Sequence, residues 1–255
     1  MRIAITGATG FIGSELVTQL RSLGHDTVAL QRLAPSTGTG WVRYALGDRP
    51  DLHGFDLLVH TAYDFRAHES NITGSIALFD QARACGVPHS LFLSSLSAFD
   101  GCRSEYGRGK LAVERHVTSM GGVSVRLGFV YDQTNRGLSG SLRKVAGMLP
   151  VIPVPGRGDQ PLYLLPMAGL GAALLERATQ CAPGSVVRLA ETHATTMAAL
   201  LRQFSRDAGK NVILVPVPWR LMWAGLRTLE ALGVGLRFRS DSLVSLVNQA
   251  TYDGV

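Results

Sequence analysis

The sequence predicts an α/β fold: a doubly wound parallel sheet flanked by helices, joined to a small mixed C-terminal lobe. Three observations carry that prediction. Short apolar runs alternate with amphipathic stretches of helical period from residue 1 to about 130. Glycines at 7, 10 and 13 fall in the turn between the first apolar run and the first amphipathic stretch. After about residue 135 the texture changes to proline- and glycine-rich segments mixed with short elements. The expected division is therefore a core over 1–135 and a smaller substrate lobe over 136–255, interleaved with the last strands of the core.

Taken in order, Arg2–Thr6 reads as a buried strand and Phe11–Leu23 as the helix that follows it. Thr27–Leu30, Leu57–His60, Leu91–Ser94 and Val123–Leu127 are strand-like, and Glu69–Cys85 and Glu105–Met120 are helical. Pro150, Pro153 and Pro155, then Gly156-Arg157-Gly158, mark a loop-rich connection. It leads into a helix over Met167–Thr179, ended by Cys181-Ala182-Pro183-Gly184. A strand at Val186–Leu189 and a helix from near Thr195 follow, with Gly209 where a helix stop is expected. Trp219–Leu232 places Trp219, Met222, Trp223, Leu226 and Leu229 on one helical face, opposite Arg220 and Arg227. Such a stripe is expected to pack on its own domain; a membrane-surface or partner helix is the alternative.

With 255 residues and 46% hydrophobic content, the chain can bury a substantial core. No stretch of 18 apolar residues occurs, and the first apolar run is short and broken by glycine, so a cytoplasmic protein is expected. Cys85, Cys102 and Cys181 lie far apart in the sequence and form neither a metal-ligand spacing nor a disulfide framework; no metal is expected. The formal charge of +6 comes from scattered basic residues, without a Lys/Arg run or interleaved aromatics, which disfavours nucleic acid. Arg103, Arg108, Arg136, Arg143 and Lys144 border the stretch discussed next, where an anionic substrate would need cations; solvated surface is the alternative for each.

A strand that ends in a glycine turn and passes straight into a helix aims backbone N–H groups and the positive end of the helix dipole at one spot. That spot suits a phosphate. Gly7 would allow the tight turn, Gly10 the approach of a pyrophosphate, and Gly13 close packing of helix on sheet. Further along, Tyr106 and Lys110 stand four apart on a helix, and Ser95 follows a strand. A phenol titrates near pH ~10, so it serves in proton transfer at neutral pH only where a cation favours its ionised form. Lys110 supplies that cation one turn along, and Ser95 could hydrogen-bond the carbonyl or alkoxide oxygen that Tyr106 protonates or deprotonates.

TGATGFIG at 6–13, LLVHTA at 57–62, NITG at 71–74, SS at 94–95 and YGRGK at 106–110 resemble, in order and spacing, the short-chain dehydrogenase/reductase superfamily. The match is to its extended or atypical branch, the NAD-dependent epimerase/dehydratase family, over roughly the first 130 residues, with RLGFVY at 126–131 similar to the family's next strand. The resemblance implies a Rossmann core. It makes Tyr106 the acid/base, Lys110 its partner and ribose anchor, and Ser95 the ligand of the carbonyl oxygen. It implies cofactor contacts by Gly7, Thr9, Gly10, Phe11, Ile12, Gly13 and Ala62, by Asp48 toward the adenine and by Asn71 near the nicotinamide half. Asp48 as a turn residue and Asn71 as a helix N-terminal residue remain open alternatives, Ser94 and Ser97 are competing hydroxyls, and His60 reads as a satisfied core histidine.

The chain also departs from that pattern. Gln31-Arg32 stands where an acid usually grips the ribose of NAD, so nothing repels a 2′-phosphate and Arg32 can pair with one: NADP is the expected cofactor, NAD the second choice. Only eleven positions separate Ser95 from Tyr106, and LLPMAGL at 164–170 and VYDQ at 130–133 differ from the family's usual runs, so the substrate lobe is poorly matched. The function expected is NAD(P)-dependent hydride transfer to or from a carbonyl or secondary alcohol of a sugar-nucleotide or similar phosphate-bearing substrate. Gln31 favours a reductase over an epimerase, and Leu96-Ser97 offers no second acid/base pair for a dehydratase. A non-catalytic NADP-binding structural or sensor protein is the alternative, opposed by the intact Ser95, Tyr106 and Lys110; a homodimer through the tyrosine-bearing helix is open.

Overall fold

Seven strands form the central sheet in the order β11-β6-β5-β4-β1-β2-β3, where β1 is Arg2–Thr6, β2 Asp26–Gln31, β3 Trp41–Arg43, β4 Leu57–His60, β5 His89–Ser95, β6 Val123–Leu127 and β11 Val186–Leu189. The computed structural model describes residues 1–34, 40–236 and 238–252. Between the strands run α1 (Phe11–Ser22), α2 (His68–Ala84) and α3 (Glu105–Ser119). β1 pairs in parallel with both β2 and β4, so that Thr6 lies opposite Leu30 on one side and His60 on the other. The chain winds outward from β1 through β2 and β3, then returns across β1 to continue with β4. That reversal is the switch point of a doubly wound sheet, and ligands bind outside the carboxyl ends of the strands beside it.

The sheet is covered on both faces, which is why β1, β4 and the middle of β5 are continuous apolar runs rather than alternating ones. Leu78, Phe79 and Ala82 of α2 and Val113 and Val117 of α3 pack on Ala4, Leu30, Leu58 and Phe92. α5 (Leu170–Gln180) packs against α1, β5 and β6. Its Gly171 lets it come close: Gly171 N–H donates to Gln19 Oε1 at 2.7 Å, and a Cβ there would stand 2.9 Å from the Gln19 Cβ.

The chain divides into two compact units that interleave along the sequence. The first comprises 1–98, 109–127 and 167–188; the second 99–108, 128–166 and the chain from Leu189 on. Residues 167–188 return to the first unit because α5 covers its sheet and β11 extends it beside β6.

The second unit holds β7 (Phe129–Tyr131), α4 (Gly137–Met148), β8 (Val151–Pro155), β9 (Pro161–Leu162), β10 (Leu164–Pro166), β12 (Thr195–Thr196), α6 (Met197–Asp207), β13 (Ile213–Val217), α7 (Trp219–Ala231) and α8 (Ser240–Val247). Its core joins Ala146, Ile152, Val154, Leu200, Leu201 and Phe204. The segment expected as a loop-rich connection, from Pro150 to Gly158, thus contains the strand β8. β8 belongs to a two-stranded parallel pair with β13, and Pro153 falls on its exposed face between the inward Ile152 and Val154, a position where a missing N–H is tolerated. α6 starts two residues after the expected Thr195, capped by Thr196, whose Oγ1 accepts the Ala199 N–H at 3.1 Å.

α7 packs on α8 and β8 of its own unit, with its apolar face covered only in part. None of its side chains is buried: Trp219, Met222 and Leu226 are partly covered, whereas Leu221 is 66% exposed and Trp223 and Leu229 are exposed. Its main element contacts among the described residues are with the eight-residue α8 and with β8. Among the described residues, no helix is long and apolar enough to cross a membrane.

Candidate active site

The glycine turn sits at the carboxyl end of β1, beside the switch point. Gly7 has φ +67°, and a Cβ on it would stand 2.6 Å from Thr61 Oγ1 and 2.8 Å from the Ala62 nitrogen. Gly13, in the first turn of α1, would place a Cβ 2.2 Å from the Gly7 carbonyl oxygen. Two backbones therefore touch where the sheet meets the helix, and only glycine fits either position. Gly10 donates its N–H to Gly7 O at 2.8 Å and begins α1 with no side-chain cap and no acid in the first turn. A helix N-terminus without a side-chain cap, set on a glycine turn, fits the pyrophosphate of a dinucleotide. Thr9 and Gly10 are exposed at this turn, and Phe11 and Ile12 are half-buried on the first turn of the helix.

A buried polar chain fixes the neighbouring loop. Thr6 Oγ1 accepts the N–H groups of Thr61 at 3.1 Å and Ala62 at 3.2 Å and lies 2.7 Å from His60 Nδ1. Ser75 gives its hydroxyl proton to Asn71 O, so His60 Nε2, 2.8 Å from Ser75 Oγ, is the donor toward it, and Nδ1 accepts from Thr6. Burial pulls the His60 pKa down to about 3, with the nearby Lys110 charge adding to the shift. A neutral, fully partnered core histidine results. Asn71, also buried, clamps the loop: its Oδ1 accepts the Asp64 N–H at 2.8 Å, and its Nδ2 donates to the carbonyls of Asp64 at 2.6 Å and Ala67 at 2.9 Å.

Lys110 is 6% exposed, and its Nζ donates to Leu93 O at 2.7 Å. The ammonium also lies 4.7 Å from the Phe92 ring centroid and 5.3 Å from that of Tyr63. Burial lowers its pKa to about 7. Ser95 closes β5 two residues after Leu93, half-buried, with its Oγ accepting the Ser97 N–H at 3.2 Å. The competing Ser94 points inward, buried with no hydrogen-bond partner for its Oγ. Tyr106 is half-buried on the first turn of α3, one turn before Lys110 on the same helix. It falls among the residues of the second unit, whereas Ser95 and Lys110 fall in the first.

Asp48 is exposed, and its Oδ2 accepts the Ala45 N–H at 2.8 Å, so the carboxylate braces its own turn. That turn is pressed on α2, since a Cβ at Gly74 would meet the Gly47 nitrogen at 2.7 Å; the glycine of NITG is a close-approach residue. Gln31 is buried at the end of β2 and donates to Leu33 O at 2.8 Å, while Arg32 beside it is exposed. Tyr63 and Asp64, which wall and brace the Lys110 side of this site, carried no spacing signal in the sequence.

A family model described as the NAD dependent epimerase/dehydratase family matches residues 3–131. The chain belongs to that family. The match ends at the last residue of β7, so it covers the glycine turn, Ser95, Tyr106 and Lys110 but little of the second unit. A UDP-glucose 4-epimerase of Neisseria meningitidis serogroup C is 23% identical over 83% of this chain and 84% of its own length. A UDP-glucose 4-epimerase of Erwinia amylovora is 25% identical over 45% of this chain and 47% of that protein, so this match spans about half of the relative. MoeE5, solved in complex with UDP-glucuronic acid and NAD, superposes with a TM-score of 0.72 at 22% identity over 86% of each chain, a likeness of fold. The family description names NAD; the expectation of NADP from Gln31-Arg32 finds no support in it.

Proposed function

We propose that this chain is an NAD-dependent enzyme acting on a secondary alcohol or carbonyl of a nucleotide-activated sugar, most simply as an epimerase. The observation that carries the reading is the buried Lys110 ammonium, hydrogen-bonded to Leu93 O near the carboxyl end of β5 and one helical turn along α3 from Tyr106. The backbone from Gly7 to Gly13 would hold the pyrophosphate and Lys110 a ribose hydroxyl. When bound, the dinucleotide supplies the hydride acceptor and donor.

The chain's own groups do the proton chemistry. The phenol oxygen of Tyr106 takes the proton of the sugar hydroxyl as it is oxidised and returns it on reduction. Lys110, cationic below its pKa of about 7, favours the ionised phenol that this step needs. The Ser95 hydroxyl donates to the sugar oxygen and holds it in line. Leu96 and Ser97 beside it bring no second acid/base pair, which favours epimerisation over dehydration.

Support for a nucleotide sugar comes from the family match and from relatives named UDP-glucose 4-epimerase. A reductase is the second reading, favoured by Gln31 and Arg32 where an acid would select NAD. Incubation with NAD and UDP-glucose, UDP-galactose or UDP-glucuronic acid, followed by separation of the sugars and absorbance at 340 nm, separates the two. An epimerase interconverts the sugars without net NADH; an oxidoreductase with net hydride transfer, run here in its oxidising direction, forms one NADH for each sugar alcohol oxidised to the carbonyl. No turnover and no dinucleotide binding would remove both.

A further inference from the structure

The first turn of α3 is held from a distant part of the chain. Ser104, buried, acts as the local cap: its Oγ accepts the Gly107 N–H at 3.0 Å, and its carbonyl accepts the Arg108 N–H at 3.1 Å. The N–H groups of Glu105 and Tyr106 are met from further off. They donate to the two carboxylate oxygens of Asp241, at 2.8 Å to Oδ1 and 2.9 Å to Oδ2. Asp241 lies in the first turn of α8, so its charge faces two helix N-termini at once. α8 is tethered in turn: Ser240 donates its N–H and its hydroxyl to Glu230 of α7, at 2.7 and 2.8 Å, and Arg239 and Arg227 flank the same carboxylate at 3.6 and 3.9 Å.

We infer that Asp241 is a positioning residue for Tyr106. The inference rests on the acid/base reading of Tyr106 given above. α3 is anchored in two different ways along its length. From Lys110 onward it is fixed by the Leu93 carbonyl and by Val113 and Val117 in the apolar core. At Tyr106 it depends on the Asp241 carboxylate, because a helix's first N–H groups have no partner within the helix and its first turn otherwise frays. The phenol must stay within a fraction of an ångström of its working place, since a misplacement of about 1 Å costs on the order of 100-fold in rate. Loss of Asp241 therefore disturbs Tyr106 and leaves Lys110 and the glycine turn in place. Glu230, which orients Ser240, acts one step further back.

The test compares wild type, Asp241→Ala, Asp241→Asn and Tyr106→Phe for turnover with NAD and the three UDP-sugars, for NAD affinity by calorimetry, and for amide exchange along α3. Asp241→Ala is expected to lower kcat about 100-fold with KM and the NAD Kd within about threefold, and to expose the amides of Glu105 and Tyr106 while those beyond Lys110 stay protected. Asp241→Asn, which keeps one carbonyl acceptor, should recover part of the rate; it also serves if the alanine variant fails to fold. Full turnover in both Asp241 variants with Tyr106→Phe inactive overturns the inference alone. So does a loss confined to thermal stability, with kcat of the folded protein unchanged at low temperature. Full turnover in Tyr106→Phe overturns the acid/base reading and the inference with it.

Discussion

The Lys110 ammonium donates to the Leu93 carbonyl at 2.7 Å in an interior that leaves 6% of the residue exposed. A lysine in that position destabilises the fold as long as it is charged. Its folded pKa of about 7 lies below the unfolded value, so the unfolded chain holds more protons between pH ~7 and ~10.5, and stability rises with pH across that window. Below pH ~7 both states are charged and the burial penalty is felt in full. Lys110→Met should therefore raise the melting midpoint most at pH 6 and hardly at all near pH 10, by about 2–4 °C for each kcal/mol of relieved penalty. The same variant should lose turnover, because Tyr106 loses its cation. Melting curves across pH check the first statement and rate assays the second.

His60 acts on stability in the same sense as Lys110, in a more acidic window. Its folded pKa is about 3, through burial first and Lys110 second, so it stays neutral while the unfolded chain takes up a proton below pH ~6.5. Its contribution is complete above that value and is lost as the pH falls toward 3, at most by about 1.4 kcal/mol per pH unit. In His60→Gln the fall of the melting midpoint between pH 6.5 and 4 should be shallower than in wild type. Parallel curves would show that other groups dominate acid unfolding.

Gly13→Ala tests the cradle. Its Cβ would stand 2.2 Å from Gly7 O and 2.9 Å from Thr61 Oγ1, and two of the three nearest atoms are backbone of the turn that must meet a phosphate. The expected cost is about 1–3 kcal/mol of stability, with NADH affinity weakened at least tenfold in a calorimetric titration. Affinity retained in a folded variant would remove the glycine turn from the binding site.

Arg32 stands exposed at the end of β2, beside a buried Gln31 whose side chain is committed to Leu33 O. If it pairs with a 2′-phosphate, Arg32→Ala weakens NADPH far more than NADH, by about tenfold or more for the loss of a charge-assisted contact. Equal weakening of both would assign Arg32 to stacking on adenine. The NAD-dependent reading expects wild type to bind NADH at least as tightly as NADPH.

Much of the first unit was legible because its signals are local. Apolar runs and helical periods announced β1, β4, β5 and α1 to α3, and glycines at 7, 10 and 13 announced a contact that a Cβ would block. The second unit was less legible. Pro153 and Pro155 read as loop, since nothing local tells that β8 pairs with a single partner. The apolar stripe of α7 led to the expectation of packing on its own domain, yet how far it is covered depends on what stands opposite, and its main element contacts among the described residues are with α8 and β8. Within the site, the types and spacing of Ser95, Tyr106 and Lys110 were readable. The groups that hold this region were not: Thr6 accepts from Thr61 and Ala62 fifty-five and fifty-six positions away, and Asp241 reaches Tyr106 across 135.

The central claim is that Tyr106 transfers a proton for an NAD-dependent reaction on a nucleotide sugar, and its most direct test is the rate of UDP-glucose and UDP-galactose interconversion by wild type and Tyr106→Phe. Wild type should interconvert the sugars with NAD and no net NADH, and the variant should lose about 100- to 10,000-fold in kcat at unchanged NAD affinity. Equal rates for the two proteins would contradict it.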